Sequence, residues 1–374
     1  MSREAALARL GVKAESLYAY VSRKQVRAIS DPADSRCSLY SRADVDALRA
    51  RRRRPRGRAA VAAGTIAWGE PILESGISTV RDGELIFGKT RARDLAQIAS
   101  LEAVAGHHWR TAVPKVGPTT PPPVGETARA RAFLFLAQTA SIAPPSLGRT
   151  HGALCEEAGG LLSDFANAIL GERLDGPIHL RVARAWGLSE RQGDIVRRAL
   201  VLVSDHELNA SSFAVRVAAS TGASLPAAAL AGLAALSGPR HGEASEAAAD
   251  FLRGAVEAPS PETAITETLA RGSKLPGLGH PLYPQGDVRA QALLDALQPA
   301  GELAAAIAAC ERVSGQYANV DLAFAALVVA FGLPASAAFS LFAMGRMAGW
   351  LAHAIEQVET GALIRPRAVF RERD

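Results

Sequence analysis

Five polar segments each set an ionisable residue beside glycines or at the edge of an apolar run: SDHELNASSF (204–213), GPRHGEASE (238–246), LPGLGHPLYPQGDVRA (275–290), NVDLAFAAL (319–327), and GRMAGWLAHAIEQ with IRPRAVF between 345 and 370. Two histidines, an aspartate and several arginines in such settings suit carbon-acid chemistry on anionic substrates. An aspartate removes a proton beside a thioester carbonyl only if one donor stabilises the developing enolate and a second polarises the carbonyl under attack. Arginines clamp carboxylates through paired N–H bonds. The chemistry implied is condensation of an acyl thioester with an oxo acid.

Other chemistries find less support. His206, His241 and His280 are 35 and 39 residues apart, with no HxxxH, HxH or CxxC pair among them, so no metal site is expected. Neither Gly-x-Ser-x-Gly nor GxxxxGK[ST] occurs, which removes the main signals of a hydrolase elbow and of a nucleoside triphosphatase. The three cysteines, Cys37, Cys155 and Cys310, are too scattered for a disulfide framework and point to a reducing, cytoplasmic setting. The opening MSREAALARLG carries charges where a signal peptide needs an apolar core.

The elements that must position these residues are mostly helices. The 374-residue chain is 48% hydrophobic, 21% charged and only 5% aromatic, rich in alanine and poor in β-branched runs. ILESGISTVRDGELIFG alternates apolar and polar residues around Asp82-Gly83, the pattern of a short hairpin. Residues 114–124, PKVGPTTPPPV, read as a proline-rich loop. Beyond residue 125 apolar positions recur at three and four, as in residues 190–203, where Ser189 and Gln192 form a capping signal. Residues 322–344 are uncharged and long enough to span a bilayer, but Gly332 and Pro334 divide them; a pair of buried core helices is the better reading, and no membrane association is expected.

Charge is unevenly spread. Residues 1–58 contain 15 Lys+Arg against 6 Asp+Glu, and the remainder 27 against 31, so the basic character belongs to an N-terminal module. Ala5, Ala6 and Leu10 suggest one helical face, Gly11 a turn, and Val12, Leu17, Tyr20 and Val21 a second short helix, which is helix-turn-helix spacing. Ser41 and Asp44 suggest a capping box before a third helix with Val45 and Leu48. This module resembles the winged helix-turn-helix of MerR and excisionase proteins. The resemblance implies DNA contacts from Lys13, Ser16 and Tyr18, and from Arg36 on the connection, with Arg27 beside it. The run RRRRPRGRAAVAAG ends the module near residue 60.

The remaining segments resemble citrate synthase. The family's Gly-Pro-x-His-Gly stands at 238–242, Gly-x-Gly-His-x-x-Tyr-x-x-x-Asp-x-Arg-Ala at 277–290, Asn-Val-Asp at 319–321 and Asp-His-Glu-x-Asn-x-Ser at 205–211, with Arg346 and Arg365 matching the remaining arginines. The similarity covers roughly residues 68–374, is strongest after 200 and faint between 111 and 185. It implies catalytic roles for Asp321 as base, His241 as neutral donor to the enol oxygen and His280 as polariser of the oxaloacetate carbonyl. His206, Asn209, Arg289 and Arg346 would bind oxaloacetate or citrate, and Arg365 would do so from a neighbouring subunit of a homodimer. The backbone at Leu275, Gly277, Leu278 and Gly279 would lie against the CoA adenine, glycine allowing close approach. Departures from the pattern are Glu243 and Ser245, where Gly and Asn are usual, Phe87-Gly88-Lys89 in place of Tyr-Arg-Gly, and Ala318 in place of proline. Glu243, two residues from His241, is expected to alter that histidine's protonation or crowd the acyl pocket.

The fold class implied is mainly α: a helix-turn-helix module (1–60), then citrate synthase-like large and small helical domains (61–374) opened by the hairpin, the smaller spanning about 205–310. Citrate would form from acetyl-CoA and oxaloacetate, with no resident cofactor. A close variant uses propionyl-CoA to give 2-methylcitrate, since one methylene in an apolar pocket is worth only about 1–3 kcal/mol. A different reading is a DNA-binding regulator whose synthase-like domain senses citrate, oxaloacetate or acyl-CoA; it would not need Asp321.

Overall fold

The computed structural model describes residues 1–22, 25–30, 38–53, 73–114, 117, 120–368 and 370. Two compact units emerge, residues 1–74 with 367–374 and residues 75–366. The expected boundary near residue 60 and the basic linker beyond Arg53 fall outside the described residues.

In the first unit, α1 (Arg3–Leu10) is opened by Ser2, whose hydroxyl accepts the Ala5 N–H, and closed by Gly11 in the left-handed conformation at φ +61°. Then come α2 (Ala14–Ser22), the antiparallel strands β1 (Ala28–Ser30) and β2 (Ser38–Tyr40), and α3 (Arg42–Arg53). Ala6, Leu10, Leu17, Val26, Tyr40, Val45 and Leu48 make its core. Ala5, expected on the apolar face, is exposed. The capping box at α3 is half formed. Ser41 accepts the Asp44 N–H at 3.3 Å, but the Asp44 carboxylate instead takes three N–H bonds from Arg27, at 3.0, 2.8 and 3.0 Å.

The second unit opens with β3 (Ser78–Arg81), β4 (Glu84–Phe87) and β5 (Thr90–Arg91), an antiparallel sheet in that order. Asp82 and Gly83 both have positive φ, 52° and 77°, as a two-residue turn matched to strand twist requires. Helices follow. α4 (Ala92–Ile98), α5 (Leu101–Trp109), α6 (Ala128–Ile142), α7 (His151–Leu170), α8 (Ile178–Ala185) and α9 (Glu190–Leu202) precede the first polar segment; the Ser189–Gln192 capping box on α9 is present. α10 (Ala210–Ser220) and α11 (Leu225–Leu236) pack as a pair. α12 (Glu243–Glu257), α13 (Pro261–Ala270), α14 (Val288–Leu297), α15 (Gly301–Ser314), α16 (Val320–Ala330) and α17 (Ser336–Thr360) complete it. The uncharged run 322–344 is α16 and the start of α17, turned at Gly332 and Pro334. Among the described residues no helix is long and apolar enough to cross a membrane.

α17 is the axis of this unit. Residues are buried around its whole circumference, as expected for a helix enclosed by others, and it packs against α5, α7, α9, α10, α11 and α12. Close approach is possible because α17 presents glycine. A Cβ on Gly349 would lie 2.2 Å from the Ser204 carbonyl oxygen and 2.6 Å from Asp205 Oδ1. The turn after α9 therefore lies directly on α17.

Candidate active site

Each reactive side chain is presented by a locally encoded helix start or turn. Asn319 caps α16, its side-chain oxygen accepting the Asp321 and Leu322 N–H groups at 2.9 and 3.4 Å, which places Asp321 in the first turn. Buried Leu322 and Phe324 anchor that turn, each apolar side chain contributing about 1.5–3 kcal/mol. Asp287 caps α14 and ties the two segments together: it accepts the Val320 N–H at 3.0 Å and pairs with Arg289 at 2.7 Å. Both members of that pair are buried.

The loop carrying His280 is pinned along residues 317–319. Gly279 N–H donates to the Tyr317 carbonyl at 2.8 Å, Asn319 N–H to the Gly277 carbonyl at 2.9 Å, and Leu278 bridges Ala318. A Cβ on Gly277, which has φ +75°, would meet Leu322 backbone and Cβ at 2.8–3.0 Å. Glycine is thus needed here for the approach of α16. Ala318 has its own reason: its N–H donates to Glu311 Oε1 at 2.8 Å, a bond that proline lacks. The Leu275 side chain packs with Ile265, Ala309 and Cys310, so only its backbone remains to meet a ligand.

These elements bring His206, His241, His280, Asp321, Arg289 and Arg346 together. The rings of His206 and His280 lie edge to face, centroids 5.3 Å apart, and Tyr283 sits 5.6 and 5.0 Å from them. Tyr283 hydroxyl and His206 Nε2 are 2.8 Å apart. The Arg289 guanidinium lies over Tyr283, and that of Arg346 over Phe342, whose ring meets His241 edge-on. Arg346 Nε donates to the Val203 carbonyl at 2.8 Å, while its Nη1 is buried without a hydrogen-bond partner. An orphaned guanidinium donor beside neutral imidazoles is suited to an anion.

Burial dominates the electrostatics. It holds His241 down to about 3 and His280 to about 4, helped by Arg346 and Arg289 respectively, and puts His206 well below the usual histidine range. All three are neutral at pH 7. Burial raises the Asp321 carboxyl, against the opposing pull of the Ser245 hydroxyl, Arg289 and Arg346, and lowers Arg346 to about 10. Leu282 N–H donates to His280 Nδ1 at 3.2 Å, which leaves the ring proton of the neutral form on Nε2. The Ser211 hydroxyl accepts the Trp350 indole N–H and has two acceptors in reach, Asn209 Oδ1 at 2.7 Å and His241 Nε2 at 2.8 Å. Its donation to the imidazole leaves the His241 proton on Nδ1; donation to Asn209 leaves it on Nε2.

Two expectations need correction. Asn209 is occupied as the cap of α10, accepting from Ser211 and Ser212 N–H and donating to the His206 carbonyl and Ser212 Oγ, so it positions the histidine segment and has no free arm for substrate. Glu243 does not crowd His241. Its carboxylate pairs with Arg129, which also binds Glu246 and stacks on Phe339. Arg365 lies exposed on the segment after α17 and is not brought to the cluster within one chain. Sequence reasoning missed the parts of Ser211, Tyr283 and Trp350, although each lies inside a quoted motif. Ser245, noticed only as a departure, donates its hydroxyl to Asp321 Oδ1. In the N-terminal unit Lys13 and Tyr18 are exposed and Ser16 half-buried; Arg27 is engaged by Asp44, and Arg36 lies outside the described residues. Among the described residues no group of three His, Cys, Asp or Glu is placed to hold a metal ion.

The neutral histidines carry a stability consequence. His108, buried and held at about 4, joins His206, His241 and His280 in having a folded pKa below the unfolded value of about 6.5. The unfolded chain therefore binds more protons, and this stability is complete above about pH 6.5 and is lost as pH falls toward 4. The thermal midpoint is expected to fall steadily between pH 7 and 4.5 in calorimetry; a flat profile would contradict buried, neutral histidines.

The sequence profile described as "Citrate synthase, C-terminal domain" matches residues 148–367. Citrate synthase 2 of Bacillus subtilis is 34% identical over 183 residues, 46% of this chain and 49% of the relative. The 2-methylcitrate synthase of Mycobacterium tuberculosis is 31% identical over 186 residues, 46% and 47% of the two chains. The chain thus spans about half the length of the curated relatives it matches. The crystal structure of citrate synthase from Thermotoga maritima superposes with a TM-score of 0.67 at 26% identity, covering 82% of this chain and 94% of that one.

Proposed function

The chain belongs to the citrate synthase family, and from that membership we propose that it is an acyltransferase condensing acetyl-CoA with oxaloacetate to give citrate and CoA. What supports this most is the company of Asp321, a carboxylate made more basic by burial, with two imidazoles kept neutral. Asp321 takes a proton from the acetyl methyl carbon, and the C–H electron pair becomes the enol double bond. His241 donates from Nδ1 to the enol oxygen when the Ser211 proton is on the Nε2 side. His280, protonated on Nε2, polarises the oxaloacetate carbonyl; the enol carbon attacks it, and water then cleaves the citryl thioester. Arg289, Arg346 and His206 hold carboxylates, with Arg346 Nη1 the donor in waiting. The backbone at Leu275, Gly277, Leu278 and Gly279 lies along CoA. Arg365 of the partner subunit would complete the site in a homodimer.

CoA-thiol release by the purified chain tests the proposal, and it must require both oxaloacetate and an acyl-CoA. Faster release with propionyl-CoA would make the product 2-methylcitrate. No release, with oxaloacetate still raising the melting temperature, would favour a ligand-sensing regulator.

A second activity is favoured by the first unit, where a helix–Gly11–helix pair precedes a two-stranded sheet and a third helix, with Lys13 and Tyr18 exposed. We propose that this unit binds duplex DNA. The full chain is expected to bind at low salt and to lose affinity linearly in log–log dependence on salt, with a smaller slope in Lys13→Ala protein. Absence of binding at low salt would end this reading.

A further inference from the structure

Ser245 occupies a fully buried position in the first turn of α12, four residues after His241, which stands in the turn that leads into that helix. α12 packs along α16, and the contact between their first turns is the Ser245 hydroxyl donating to Asp321 Oδ1. The other polar groups of that turn of α12 and of the turn before it are engaged elsewhere: Glu243 and Glu246 hold Arg129, and His241 meets Ser211. From α14 and α17 the charged groups acting on Asp321 are Arg289, Asp287 and Arg346. None of the three has a hydrogen bond to its carboxylate among the described contacts; Arg289 is paired with Asp287 and Arg346 with Val203.

Resting on the proposed condensation, we propose that Ser245 is a positioning residue for the base: it fixes one oxygen of Asp321, leaves the other to take the substrate proton, and stabilises the ionised carboxylate against protonation. A hydrogen bond to the charged form of a buried acid favours that form. The direction of its effect on Asp321 agrees, since the hydroxyl pulls against burial. The segment 241–245, the turn before α12 and the first residues of that helix, therefore carries both the enol donor and the residue that sets the geometry of the base.

The sign of the test follows. Without the hydroxyl, Asp321 protonates more readily, so the loss of kcat/KM on the acid side moves to higher pH. Ser245→Ala protein should show that acid limb displaced upward by about one pH unit, with kcat reduced about tenfold and KM for oxaloacetate little changed. Ser245→Thr, which keeps a hydroxyl, should restore the limb. An acid limb unmoved in the alanine protein would overturn the assignment. So would a threonine protein shifted as far as the alanine protein, because the effect would then belong to packing. Carboxyl 13C titration of Asp321, assigned by its loss in Asp321→Asn protein, separates this inference from the condensation itself. Its midpoint should rise in Ser245→Ala whether or not the parent turns over, and an unchanged midpoint overturns the proposal.

Discussion

Asp321→Asn protein is expected to lose about 10²–10⁴-fold in kcat for CoA release while still binding oxaloacetate. Asparagine keeps the shape and the start of α16, because the Asp321 N–H remains bonded to Asn319. It removes the proposed base, which Asp287 cannot replace because that carboxylate is committed to Arg289 and Val320. The loss should appear in kcat, with oxaloacetate protecting parent and variant equally in thermal melts. Turnover equal to the parent's would remove Asp321 from the chemistry and overturn its assignment as the base.

The largest structural effect is expected from Gly349→Ala, which adds a single methyl group. The added Cβ would fall 2.2 Å from the Ser204 carbonyl oxygen and 2.6 Å from Asp205 Oδ1. The first of these is backbone and cannot swing aside, so α17 and the 203–206 turn must separate. Overpacking of this kind destabilises by about 1–3 kcal/mol, and the severity of this contact places the change at the upper end. For a unit spanning residues 75–366 that corresponds to a fall of roughly 5 °C in the thermal midpoint. The separation also affects the site, because Arg346 is held by the Val203 carbonyl on the same turn, and His206 follows directly on Asp205. Asp205 itself is buried, bonded to Ser78 and 3.2 Å from His353 Nε2, so it cannot follow the displaced turn freely. Activity should therefore fall with stability, and KM for oxaloacetate should rise more than KM for the acyl-CoA. A variant with the parent's melting temperature would mean that the contact relaxes at no cost.

Much of this protein is legible in its sequence. The Asp82-Gly83 turn, the Ser189–Gln192 capping box, the division of residues 322–344 at Gly332 and Pro334, and the histidine, aspartate and arginine segments all depend on neighbours within about four residues, and short-range chemistry is written directly in the chain. What the tertiary structure alone decided is which distant partner each polar group meets. Asn209 was read as a substrate ligand, but the start of α10 takes both of its ends. Sequence proximity sets Glu243 beside His241, but Arg129, 114 residues away, draws its carboxylate aside. The resemblance gives the Gly277 backbone a place along CoA; the packing adds that a side chain there would meet Leu322. Ser245 and Ala318 looked like mere departures from a pattern, and each supplies a hydrogen bond to a group on another element or turn, Asp321 and Glu311. Residue type and spacing determine which groups are available for chemistry; helix packing determines which of them are already satisfied, because a buried donor or acceptor takes whatever partner the opposing helix presents.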